Sequence, residues 1–211
     1  NDTGYVFSGY TTPTKYYEEY LIPQKEMHDT LKKIPGDNHF IHCSNIEKYF
    51  NSTEGEYFNR NKDILELLLA NGSRVKFRSI EFKSEEGRKL KYNECKVYHY
   101  YGYISQIDSY LLSVSYYESS SYMLINNKSG KSIEICGNPV LSIDYKKIMC
   151  TSHSGDFGFD PNKVTVLSIK NNEFIIEFDK NADSYQPTEP RWLSNNIFVV
   201  KNNKLDLKQP D

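Results

Sequence analysis

No run of this sequence approaches the roughly 20 consecutive apolar residues of a membrane-spanning helix. Its longest apolar stretches, such as Leu67 to Ala70, are far shorter, which predicts a soluble mature domain. Charge of one sign is lacking too, because 26 Lys and Arg stand against 28 Asp and Glu, a formal net charge of -2. A chain so balanced has no broad field to draw in phosphate backbones or anionic lipid, and no nucleic acid partner is expected. The four cysteines, Cys43, Cys95, Cys136 and Cys150, include no CxxC pair. That spacing disfavours zinc ribbons and thioredoxin-like redox chemistry and leaves three disulfide pairings open. Free, buried thiols are the expectation, since a chain of this size builds a core without a bridge. There is no Gly-x-Ser-x-Gly elbow and no phosphate-binding glycine loop, so the usual signatures of a serine hydrolase and of a nucleotide site are missing.

What is present is aromatic. Eighteen Tyr and eleven Phe, with Ala nearly absent, favour pleated and half-buried surfaces, and tyrosine buries its ring while its hydroxyl stays wet. The fold class expected is mainly β: antiparallel, propeller-like or meander sheets with a short helical or irregular N-terminal part. Helical spacing is limited to residues 14–33, where Pro23 interrupts it. Leu65, Leu67 and Leu69 alternate and lead into Asn71-Gly72, which predicts a two-residue hairpin turn with Val75 and Phe77 on the return strand. Beyond Cys95 short strands are predicted over 97–104, 110–117, 122–126, 132–136, 147–152, 164–170, 173–179 and 197–201, separated by Asn, Gly, Asp and Ser clusters. The organisation expected is a single domain over 1–211, in which 1–95 is a less regular part with a hairpin and 96–211 is a propeller-like β-repeat part.

A weak repeat relates residues 105–112, 141–149 and 191–198, each a strand, a polar turn and a strand. The block Gly130 to Asp144, with Asn162 to Val166 and Pro190 to Leu193, resembles uncharacterised secreted bacterial proteins with WD-repeat-like propeller blades. The resemblance spans about Tyr98 to Val200, a little under half of the chain. It implies an incomplete β-propeller, because the length is too short for six or seven blades, and it brings no established activity. The start at Asn1 followed by Asp2, Thr3 and Gly4 reads as a chain whose leader has been removed. The expected location is therefore periplasmic, outer-membrane-anchored or secreted, with a lipid anchor on the removed leader as one alternative.

Three groups of residues invite a chemical reading. His39, His42 and Cys43 offer zinc ligands, but a strand would put His42 on the opposite face and no fourth ligand lies nearby. The loop 152–162 carries Asp156, Asp160 and Asn162 around two glycines, oxygen ligands of the kind calcium takes, although the spacing matches no EF-hand and these residues are ordinary turn formers. Phe157 and Phe159 in the same loop serve equally well as a plug. Tyr116 and Tyr117, with the tyrosines of 98–103, are candidates for stacking on a sugar or anchoring a protein, or for packing sheet faces with no ligand. No catalytic constellation, metal or cofactor is assigned. The reading is a non-enzymatic binding or interaction module for an unknown protein or glycan, with Asp156, Asp160, Asn162, Tyr116 and Tyr117 as candidate contacts. The alternative is a hydrolase acting on envelope or environmental glycans. Trp192 is expected to be a buried core anchor.

Overall fold

The structure, a computed structural model, describes residues 47, 50–51, 54–80, 95–117, 119–153, 161–182 and 185–204. The helix expected within 14–33, the His39, His42 and Cys43 cluster, and Asp156 and Asp160 lie outside the described residues. The protein is mainly β and its sheets are antiparallel. The described residues fall into two compact units, one up to Glu134 and one from Ile135 onward.

The first unit holds a three-stranded sheet of β1 (Phe58–Asn61), β2 (Ile64–Leu68) and β3 (Arg74–Arg78). Alternation sets its faces: Leu65 and Leu67 are fully buried, whereas Arg74, Lys76 and Arg78 point to solvent. The β2–β3 connection differs from the expected two-residue turn. Leu69 donates its N–H to the Ser73 carbonyl and Gly72 donates to the Leu69 carbonyl, which makes a three-residue loop closed by Gly72 at φ 81°. Asn71 is diverted to a local role, its Oδ1 accepting from the Ser73 N–H and hydroxyl. This is the turn-plus-bulge hairpin that a glycine in the left-handed region permits.

A four-stranded meander follows: β4 (Val97–Ile104), β5 (Ser109–Ser115), β6 (Ser120–Asn126) and β7 (Ser132–Ile135). The β4–β5 register slips between Tyr100 and Gly102. Gly102 has φ 131°, and a Cβ there would lie 3.3 Å from the Phe50 ring. The core of the unit joins Phe50, Phe58, Leu65, Leu67, Tyr100, Tyr110, Leu112, Val114 and Ile125.

The second unit contains the sheet β11-β10-β9-β8, from β8 (Val140–Leu141), β9 (Lys147–Ser152), β10 (Lys163–Lys170) and β11 (Glu173–Asn181). A hairpin of β12 (Tyr185–Ser194) and β13 (Ile197–Lys204) completes it. Met149, Val164, Val166, Trp192, Phe198 and Val200 form its core. Trp192 is buried at 9% exposure, lies edge-on to Phe198 at 5.7 Å and donates its Nε1–H to the Val140 carbonyl at 2.9 Å. Cys95, Cys136 and Cys150 are free thiols.

Among the described residues the four sheets open at Phe58, Val97, Val140 and Tyr185, so successive sheets begin about 40 to 45 residues apart. Each opens with a hairpin, and the three repeat segments found in the sequence lie on the hairpins β4–β5, β8–β9 and β12–β13. Asp108 at φ 49° and Tyr145 at φ 57° occupy the left-handed position in the first two of these turns.

Candidate functional site

In the first unit the tyrosines of β4 and β5 converge with Tyr57. Tyr57 stacks on Tyr103 at 5.3 Å, Tyr110 approaches Tyr103 at 5.2 Å and Tyr100 at 6.2 Å, and Phe58 stacks on Tyr100 at 4.1 Å. Each hydroxyl of the three central rings has a fixed acceptor: Tyr100 donates to Glu54 at 2.5 Å, Tyr110 to the Leu68 carbonyl, and Tyr103 to Asp108. Asp108 also accepts from Asn127 Nδ2 at 2.9 Å and faces Lys128 Nζ at 3.6 Å. Burial by itself would raise the Asp108 carboxyl, but the hydrogen bonds from Tyr103 and Asn127 hold it below its ordinary value. Glu54 goes the other way: burial outweighs the hydrogen bonds from Tyr100 and the Tyr103 backbone and pushes its carboxyl up. Burial and the neighbouring Asp108 carboxylate push Tyr103 up to about 12. This cluster is interior packing with satisfied hydroxyls, which is how buried tyrosine is ordinarily accommodated.

Tyr116 and Tyr117 follow β5 in the same unit. Tyr116 is half-buried, and its hydroxyl donates to Glu134. Glu134 also accepts from Ser121 Oγ at 2.6 Å and from Lys96 Nζ at 3.1 Å. The Lys96 ammonium sits between two rings, 5.3 Å from the centre of Tyr98 and 5.2 Å from that of Tyr116, a doubled cation–π contact. Burial would raise Glu134, yet its three donors hold it below the ordinary carboxylate value. The Tyr116 ring is thus already covered on one face by this chain's own cation. Tyr117 is 46% exposed.

Asn162 belongs to the second unit, at the foot of β10. It is half-buried, and its carbonyl accepts the Ala182 N–H at 2.7 Å. The two ends of the loop that carried Asp156 and Asp160 are tied together, for Ser152 Oγ donates to the Pro161 carbonyl at 2.6 Å and Ser152 pairs with Lys163. Among the described residues no group of three or more His, Cys, Asp or Glu is placed to hold a metal ion, and no helix is long and apolar enough to cross a membrane.

A surface that residue-type reasoning missed lies at the turns of the second unit. The β8–β9 turn and the β12–β13 turn are hydrogen-bonded to each other: Asp144 N–H donates to Asn195 Oδ1 at 3.1 Å, and Lys147 Nζ donates to Asn196 Oδ1 at 2.9 Å. The same turns expose Ile143 and Tyr145 on one side and Leu193 and Ile197 on the other, at 36% to 52%. The β8–β9 turn is locally stiff, since Ser142 Oγ donates to Asp144 Oδ1 at 2.8 Å while accepting the Lys147 N–H at 2.9 Å. The signal was in the sequence, because these are the second and third copies of the weak repeat. Ile175 and Ile176 on β11 are also exposed, but consecutive strand residues face opposite sides and do not make one patch. In comparisons with known proteins the chain matches no family model, no curated protein and no solved structure.

Proposed function

We propose that the protein is a non-enzymatic binding module of a cell-envelope or secreted setting, and that it holds a protein partner on the paired turns of its second unit. The observation that carries the reading is that two separate turns are fastened by hydrogen bonds and together expose Ile143, Tyr145, Leu193 and Ile197. Exposed apolar side chains gathered on an ordered surface and rimmed by polar groups are what interaction sites present. Three of the four are aliphatic, which suits a protein surface better than a sugar ring, whose usual platform is aromatic. The regular recurrence of sheets supports an incomplete propeller as the scaffold.

The test is a triple substitution, Ile143→Ser with Leu193→Ser and Ile197→Ser, compared with the parent chain in affinity capture from envelope and culture-medium fractions. A protein that binds the parent saturably and loses at least about tenfold in affinity to the folded variant supports the reading. Equal retention of that protein by both chains, or saturable binding of a glycan at Tyr117 in its place, would refute it.

A glycan hydrolase is the second reading, and Glu54 is the observation that favours it, since a half-buried carboxyl with a raised pKa is what a general acid needs. Glu54→Gln separates the two: turnover of a glycoside by the parent that the variant loses would establish the hydrolase, whereas a binding module is indifferent to that change.

A further inference from the structure

We propose that Cys136 and Cys150 are a redox pair that closes to a disulfide in the presence of a small-molecule disulfide such as oxidised glutathione, covalently closing the segment that carries β8 and the apolar β8–β9 turn. The proposal stands apart from the binding reading, since it concerns the strands beneath the turn and no partner.

The two sulfur atoms lie 3.1 Å apart, and a disulfide needs about 2.05 Å. A closing movement of about 1 Å joins them. Cys136 occupies the bend after β7, and Cys150 lies in β9 opposite Thr165 of β10. What brings the bend against the strand is Gly137. A Cβ on that residue would stand 2.0 Å from the Thr151 carbonyl oxygen, so a side chain there would force the bend, and Cys136 with it, away from β9. The approach is thereby built into the backbone.

The two thiols differ in the way an attacking and a resolving cysteine differ. Cys150 is completely buried, whereas Cys136 is partly open to solvent. The hydrogen bond from Cys150 outweighs burial and holds the Cys136 thiol below its ordinary value, with Lys163 adding a favourable charge, while giving that hydrogen bond and burial push Cys150 up. A partly exposed thiol whose pKa is lowered is the reactive kind. The Cys136 thiolate attacks one sulfur of the small disulfide, forming a mixed disulfide and releasing one small thiolate, which takes up a proton. Cys150 then loses its proton and attacks the Cys136 sulfur, which releases the second small thiol. Two protein thiols are oxidised, one small disulfide is reduced, and the two protons end on the two small thiols.

The experiment uses the full chain equilibrated in glutathione buffers from fully reduced to fully oxidised, quenched with an alkylating agent and mapped without reduction. The expected result is a cross-linked peptide joining Cys136 to Cys150, with the loss of two titratable thiols of the four, and a higher thermal midpoint that reverts on reduction. Cys136→Ser and Cys150→Ser should each abolish the cross-link and the oxidant-dependent shift. Gly137→Ala, which retains both cysteines but moves Cys136 away from β9, should lower the yield of the bridge at a given buffer. Mapping on the parent chain needs no variant to fold. Recovery of both cysteines alkylated under full oxidation, or a bridge from either to Cys43 or Cys95, overturns the proposal.

Discussion

Asp144 and Asn195, 51 positions apart, meet where the β8–β9 turn donates the Asp144 N–H to the Asn195 side chain at 3.1 Å. This contact converts two local hairpins into one surface. Removing both amides, in Asn195→Ala with Asn196→Ala, should cost about 1 kcal/mol, the ordinary net worth of such bonds on an exposed surface. Hydrogen exchange should quicken at the Asp144 amide while β9 and β10 keep their protection, and unchanged exchange there would show that the turns hold position without the contact.

Trp192 is the single Trp of the chain, and its fluorescence reports on the unit it anchors. Trp192→Ala should destabilise by about 3 to 5 kcal/mol, because it opens a cavity beside Phe198. Trp192→Phe should cost less, keeping most of the packing but leaving the Val140 carbonyl without its donor. Urea unfolding followed by circular dichroism measures both, and equal losses would mean that the hydrogen bond rather than the ring carries the effect.

Gly102 sits in the β4 bulge at φ 131° with the Phe50 ring 3.3 Å from a would-be Cβ. A side chain at that backbone angle is strained, by about 1 to 3 kcal/mol. Gly102→Ala should therefore lower the thermal midpoint and loosen the Tyr100 environment. If the midpoint holds, the bulge can flatten and the register slip is not fixed by the glycine.

Glu54 and Asp108 should give opposite signatures against pH. The Glu54 carboxyl is raised above its ordinary 4.5, so its contribution is full below that value and is lost as pH rises through the folded pKa. The Asp108 carboxyl is lowered from 3.8, so its contribution is full above 3.8 and is lost as pH falls through the folded pKa. Thermal midpoints measured between about pH 3 and 7 should show Glu54→Gln improving relative to the parent as pH rises, and Asp108→Asn falling behind as pH rises. Parallel curves for either variant would show that its carboxyl has no such shift.

Much of the β pattern was legible because alternation is local. The strand 97–104 and the strand 147–152 emerge with the bounds expected of them, and the buried Leu65 and Leu67 follow from the period of two. The part of β12 before Arg191 escaped because Pro187 and Pro190 argue against a strand when read alone. In the structure Pro187 pairs in register with Asn202, and Pro190 sits where the pairing with β13 slips, next to Glu189 at φ 47°. β8 was marked only by the repeat segment that begins at Leu141, because two residues have no period to read.

By itself the sequence determined the strand content, the aromatic character of the first core, the place of Trp192 and the recurrence of three turns. Those properties depend on residues within a few positions of one another, which composition and alternation record. Only the tertiary structure decided that Asp144 faces Asn195, that Gly137 lies against Thr151 so that Cys136 meets Cys150, and that the Tyr116 ring is covered by Lys96. Each of these joins segments brought together by strand pairing or by the packing of turns, where partners are fixed by which surfaces bury one another and no spacing along the chain encodes the choice.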